Sequence, residues 1–246
     1  MTQTADDRVR GDYGIDEPRW PALNVATGLA CLGGAALVRR RSRLALLPTM
    51  AGAIFLGTAA SYLYTTTRGK FAVWRRLLHE LELQGSETVL DMGCGRGAVL
   101  CMAAKLLTTG RALGIDLWRE AEQSGNSAEV ARRNAELGGV VGRVQLHTGD
   151  MRAMPFPDAS VDLVLSSLAV HNIGDAEGRR KALGEAVRVL RRGGRLAVAD
   201  PHYVTNEYAR HLRACAMASV QVRDVGWRFW YGGPWVATRL VTARKP

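Results

Sequence analysis

Cysteine and lysine are both scarce in this chain of 246 residues. The four cysteines, Cys31, Cys94, Cys101 and Cys215, form no CxxC pair and no metal-ligand spacing. Neither a disulfide framework nor a metal site is expected, and unpaired thiols fit a reducing compartment. Only Lys70, Lys105, Lys181 and Lys245 are lysines, so the formal net charge of +10 rests almost wholly on arginine. Residues 1–20 do not share in that excess, because Arg8, Arg10 and Arg19 stand against Asp6, Asp7, Asp12, Asp16 and Glu17. A basic surface suits nucleic acid, anionic lipid or an acidic substrate, and charge alone does not choose among them. Internal repeats and low-complexity tracts are absent too, which excludes a repeat architecture. What remains is the length for one α/β domain with a small appendage. The 47% of hydrophobic residues can fill its core.

Charge is missing altogether from two stretches, residues 21–38 (PALNVATGLACLGGAALV) and 44–64 (LALLPTMAGAIFLGTAASYLY). Crossing a hydrocarbon layer takes about 20 apolar residues. The second stretch meets that length and the first is marginal. The flank before Pro21 is long and acidic, unlike a signal peptide. Small residues at helical spacing, Ala30 with Gly34 and Ala53 with Gly57, would let two such helices pack closely. Three readings stay open: a membrane hairpin, two helices on the bilayer or domain surface, or an arm for homo-oligomerisation through residues 21–64. Arg39-Arg40-Arg41-Ser42-Arg43 complicates the first, since positive residues prefer the cytoplasmic side. The segment is expected to be membrane-associated, with the domain behind it cytoplasmic.

From Gly69 the pattern alternates. Phe71, Trp74, Leu77, Leu78 and Leu81 recur at helical spacing. β-prone runs follow at 88–92, 111–116, 143–147, 161–166 and 195–200, separated by helix-like stretches, clearest at 127–137 and 176–190. Asp175 is suited to cap the latter and Gly193-Gly194 to end it. Two more strands are expected at 220–225 and 236–243, joined by a turn holding five aromatics from Trp227 to Trp235. The alternation predicts an α/β fold, a Rossmann-like doubly wound and mostly parallel seven-stranded sheet behind a two-helix hydrophobic appendage. The expected division is a polar tail at 1–20, a hydrophobic hairpin at 21–66 and the α/β domain at 67–246.

Three successive strand ends carry glycine and acid. Val89-Leu90-Asp91-Met92-Gly93-Cys94-Gly95-Arg96-Gly97 runs a buried strand into a glycine turn and a helix, whose first N–H groups are unpaired. Gly114-Ile115-Asp116 puts a carboxylate at the next strand end, where it can accept ribose hydroxyls. Gly149-Asp150-Met151 adds a third loop at the end where such sheets bind ligands.

These residues resemble the class I S-adenosylmethionine-dependent methyltransferases. The likeness covers about Phe71 to Lys245 and is strongest in VLDMGCGRG, GIDLW, GDMRAMPFPDASVDLVLSSLAVHNI and VLRRGGRLAVADP. It implies S-adenosylmethionine as cofactor. By the resemblance Asp91, Gly93 and Gly95 hold its methionine part, Asp116 its ribose, and Leu117, Asp150 and Met151 its adenine. Ser166 is expected to face the sulfonium. His171 is the candidate base where the acceptor arrives protonated. Tyr62, Tyr64 and Lys70 are placed to cover the cofactor, while the 117–126 link and the aromatic turn could line the acceptor mouth.

A short-chain reductase would carry Tyr-x-x-x-Lys, and no lysine here has tyrosine four residues before it. A nucleic-acid methyltransferase fits the charge. However, the Asn/Asp-Pro-Pro-aromatic turn is absent after the fourth strand, and Asp200-Pro201-His202-Tyr203 follows the fifth. A non-catalytic cofactor-binding membrane protein is the third alternative. The preferred expectation is methyl transfer to a hydrophobic small molecule or lipid at the membrane, with no nucleic-acid partner.

Overall fold

Residues 11–38 and 45–246 are described by a computed structural model. The start of the polar tail and the arginine cluster at 39–43 lie outside them. Each β-prone run is a strand: β1 (Thr88–Met92), β2 (Arg111–Asp116), β3 (Val144–Thr148), β4 (Val161–Ser167), β5 (Leu190–Pro201), β6 (Ala218–Asp224) and β7 (Thr238–Arg244). They form one sheet in the order β3-β2-β1-β4-β5-β7-β6. β1 to β5 pair in parallel, and β7 runs antiparallel to β5 and β6. Val89, Leu90 and Met92 of β1 are fully buried, because a central parallel strand is covered on both faces. One face packs on Trp74, Leu77 and Phe229, the other on Leu183, Val204 and Tyr208. Strand order reverses between β1 and β4, opening the crevice in which such sheets take ligands.

Asp175 caps the helix expected at 176–190 by accepting from the Gly178 N–H at 2.7 Å. That helix stops at Val189, not at the glycine pair. Leu190 is buried and already pairs with Val161. The register then jumps to Leu163 against Arg195, so Arg191–Gly194 bulge out of the strand. Burial of Leu190 in the sheet thus overrides the glycine stop.

Two helices, α1 (Arg19–Val38) and α2 (Leu46–Tyr64), pack side by side as an antiparallel hairpin. Their seam differs from the expected one. Gly28 lies against Leu56 and the Gly52 carbonyl, and Gly52 against Leu32. Ala30 and Ala53 are exposed, and Gly34 and Gly57 have nothing within 4 Å of an added Cβ. The seam follows the rows Gly28–Leu32–Ala35 and Gly52–Leu56–Ala59, with Ala35 and Ala59 buried. Spacing alone does not say which of several small-residue rows faces the partner. The outer faces expose Leu23, Leu29, Leu37, Leu47 and Ile54, and both helices have the length and composition to cross a bilayer.

No linker separates the hairpin from the domain. α2 passes through a π turn at Thr65–Gly69 into α3 (Lys70–Glu80), making one continuous rod. The aromatic turn clasps this junction: Ser61 and Thr65 donate to the Trp230 carbonyl, and Tyr64 stacks on Trp227. A Cβ on Gly69 would occupy the place of the Arg228 carbonyl. Gly69→Ala is therefore expected to cost about 1–3 kcal/mol and to lower the thermal midpoint by several degrees. An unchanged midpoint in a thermal melt would contradict this packing.

Candidate functional site

At the end of β1 the chain turns through left-handed backbone at Gly93 (φ 69°) before entering α4 (Ala98–Lys105). Only glycine adopts this without strain. A Cβ there would also collide with that of Ala169, on the loop after β4. The Gly93 and Cys94 N–H groups donate to the Ile115 carbonyl at 2.8 and 3.2 Å. Asp116, at the end of β2, accepts from the Gly95 N–H at 2.8 Å and from the Trp118 N–H at 2.6 Å. Glycine turn and second strand end are thereby fastened together.

These elements wall a large cavity in the crevice, open to solvent. Asp91, Gly93, Gly95, Asp116 and His171 all line it. Leu117, Asp150 and Met151 line a smaller cavity next door, and Gly93 and Asp116 border both. Arg152 holds the Asp150 carboxylate at 2.6 Å and keeps its pKa below the usual range.

Ser166 does not join them. It is fully buried and donates to the Met92 carbonyl at 2.9 Å. Its neighbour Ser167 lines the large cavity and accepts from Trp74 Nε1 at 2.8 Å. Side chains alternate along a strand, so moving one residue exchanges the two faces.

Asp91 is 1% exposed, and neither carboxyl oxygen has a hydrogen-bond partner among the described residues. Burial, then the charge of Asp116, pushes its pKa up to about 8. Asn126 Oδ1 and Thr238 Oγ1, from two other lining residues, are also buried and unpartnered. Buried polar groups normally find partners, so three orphans around one cavity point to a polar ligand. An ammonium group suits Asp91, and the residues present fit the adenosyl cofactor that the resemblance implies.

His171 lines the cavity from a short 3-10 turn at Val170–Asn172. Its Nδ1 is 2.9 Å from Asp200 Oδ1, and its backbone N–H donates to Oδ2 at 3.1 Å. Tyr208 donates to the same carboxylate at 3.0 Å, and Asp200 is fully buried. Burial works against the charged imidazole, but Asp200 outweighs it and raises the pKa of His171. With Nδ1 engaged, Nε2 is the nitrogen left to accept a proton.

An N-terminal strap, residues 12–17, closes one side. Asp16 accepts from Lys70 Nζ at 2.8 and 2.9 Å, Thr66 Oγ1 at 2.7 Å, Tyr231 Oη at 2.7 Å and Gln123 Nε2 at 3.0 Å. Burial would raise the Asp16 pKa, yet Lys70, Tyr231 and Thr66 together lower it. Gln123 Oε1 in turn accepts from the Arg96 N–H at 2.8 Å, inside the glycine turn. The root of the hairpin is thus joined to the glycine turn by three successive hydrogen bonds, through Asp16 and Gln123. Asp16→Asn leaves Lys70 as a buried cation without its counter-charge and is expected to cost about 3 kcal/mol. A denaturation midpoint unchanged at neutral pH would contradict that.

Of the residues placed to cover the site, Tyr62 and Lys70 line the cavity while Tyr64 is taken up by Trp227. The aromatic turn supplies Tyr231 to the wall and leaves Trp227 and Trp235 exposed. Sequence reasoning missed Asp200 as a site residue, although it too is an acid at a strand's carboxyl end. Asp16 carried no such signal.

Residues 90–198, from β1 to β5, match the family model described as a methyltransferase domain. The demethylmenaquinone methyltransferase of Thermus thermophilus is 34% identical over 128 residues, covering 52% of this chain and 53% of the relative. The aklanonic acid methyltransferase of a Streptomyces species is 38% identical over 128 residues, covering 52% and 54%. The chain spans about half the length of these curated relatives. The geranyl diphosphate C-methyltransferase of Streptomyces coelicolor, solved with Mg2+, geranyl diphosphate and S-adenosyl-L-homocysteine, shares the fold. Its TM-score is 0.56 at 17% identity over 71% of this chain and 77% of that one.

Proposed function

We propose that this chain transfers the methyl group of S-adenosylmethionine to a hydrophobic small molecule or lipid at the membrane. The observation that carries this reading is one chamber lined both by the unpartnered Asp91 carboxyl and by His171, which buried Asp200 holds from behind. The methyltransferase-domain match and relatives named for small-molecule acceptors support its chemistry. When bound, the cofactor supplies an electrophilic methyl on a sulfonium. Asp91, Gly93 and Gly95 would hold its methionine part, and Asp116 its ribose. Leu117, Asp150 and Met151, in the adjoining cavity, would hold the adenine. His171 Nε2 takes the proton of an acceptor hydroxyl, while Asp200 orients the imidazole and stabilises its charged form. Tyr62, Phe71 and Trp74 in the wall exclude water from the reacting atoms.

The hairpin gives this chemistry its location. Its helices are apolar on every side, which suits immersion in hydrocarbon better than lying at an interface. Exposed Trp227 and Trp235 stand near its root, where amphipathic rings favour the headgroup layer. The free Cys94, Cys101 and Cys215 fit a cytoplasmic catalytic domain. Incubating membranes and lipid extracts with methyl-labelled cofactor tests the reading: label is expected in the organic phase. Label confined to polar metabolites or nucleic acid would contradict it.

A further inference from the structure

The large cavity is acidic in a chain that is basic overall. Asp16, Glu17, Asp91, Asp116 and Glu122 line it, against Lys70 and the imidazole of His171. Most of these carboxyls are occupied or committed. Asp16 is held by Lys70. Asp116 is fixed by the glycine turn, and Asp91 is the group assigned to the cofactor. Glu122 receives Asn172 Nδ2 at 3.1 Å on one oxygen and lies 3.5 Å from Arg119 on the other. Glu17 is different: its carboxylate has no partner among the described residues.

Its position is equally distinctive. Glu17 and Trp20 are exposed members of the lining on one side, and Tyr203 on the other, so the mouth lies between them. Glu17 shares the cavity lining with His171, Tyr203 and Tyr231, so it stands over the acceptor side proposed for that cavity. Its backbone is pinned by its N–H to the Glu122 carbonyl at 3.1 Å, and the Trp20 N–H donates to its carbonyl at 3.0 Å. The carboxylate is therefore held at the entrance with its hydrogen-bonding capacity unused by the fold.

We infer that Glu17 determines acceptor specificity, admitting neutral or cationic acceptors and turning away those that carry phosphate or another anion. The inference rests on the methyl-transfer reading only for the word acceptor; the selection by charge belongs to the cavity. An anion entering past Glu17 meets a like charge at the mouth, with Asp200 behind His171 and with Lys70 already paired with Asp16. Rejection by an unfavourable charge is an economical route to specificity.

The test uses the full chain in phosphatidylcholine nanodiscs, with binding followed by tryptophan fluorescence, since Trp20 and Trp74 line the cavity. The probes are 4-octylphenol and 4-octylphenyl phosphate, which share an apolar body. The wild-type protein is expected to bind the phenol at least about tenfold more tightly than the phosphate. Glu17→Gln should narrow that ratio and Glu17→Lys reverse it, and comparison across variants cancels any difference in partitioning into the disc. S-adenosylhomocysteine affinity, measured alongside, should stay within about twofold and report an intact fold. Equal affinities for the two probes in the wild type, including binding of neither, would overturn the inference, as would a ratio unmoved by Glu17→Lys. Absence of label transfer in the membrane assay would sink the methyl-transfer reading and leave this charge preference standing, so the two fail separately.

Discussion

Asp91→Asn is expected to weaken S-adenosylhomocysteine binding by roughly a hundredfold or more, while making the empty protein more resistant to denaturant. The two effects share one cause. Asp91 is buried without a partner, so its ionised form is costly until a cation arrives. With a pKa pushed up to about 8, the empty folded protein holds a proton that the unfolded chain releases near pH 4. Between those values the folded state binds more protons, so the Asp91 contribution to stability falls as pH rises. Asparagine removes that liability and with it the counter-charge for the ligand's ammonium. In the wild type, ligand binding should expel a proton at pH 7, and affinity should climb as pH approaches 8. Calorimetry in two buffers of different ionisation enthalpy reads that proton. Unchanged affinity in Asp91→Asn would remove the ammonium from this site.

The second large effect is expected at His171, the proposed proton acceptor. His171→Ala is expected to lower kcat for label transfer by about 10²–10⁴ with little change in S-adenosylhomocysteine affinity. The base must be neutral to act, so kcat/KM should rise with pH through the raised pKa of His171. Asp200→Asn takes away the charge that raises it, and the acid limb should move to lower pH even as the maximal rate drops. The same pair affects stability with a definite sign. Its contribution is fully present below the ordinary histidine pKa and is lost as pH rises through the raised folded value. An acid limb that stays in place in Asp200→Asn would show that some other group titrates.

The parts of this site that were legible in the sequence are those read along one strand at a time. Asp91, Gly93 and Asp116 sit where a strand meets its loop, and hydrophobic runs mark strand ends well. Ser166 shows the limit, because β4 extends one residue beyond the expected run at 161–166 and the cavity receives Ser167. The hairpin seam shows another: several small-residue rows are available on each helix, and tertiary packing selected the one through Gly28 and Gly52. Asp16 and Glu17 were invisible for a third reason. Their meaning comes from Lys70, Tyr231, Gln123 and Glu122, which the fold gathers from distant parts of the chain.

Amide hydrogen exchange of the full chain with and without S-adenosylhomocysteine tests most directly whether the crevice beside β1 holds the adenosyl group. Slowed exchange is predicted at residues 93–97, 116–119 and 149–152. Binding without protection at those three loops, or protection confined to another part of the fold, would contradict the account.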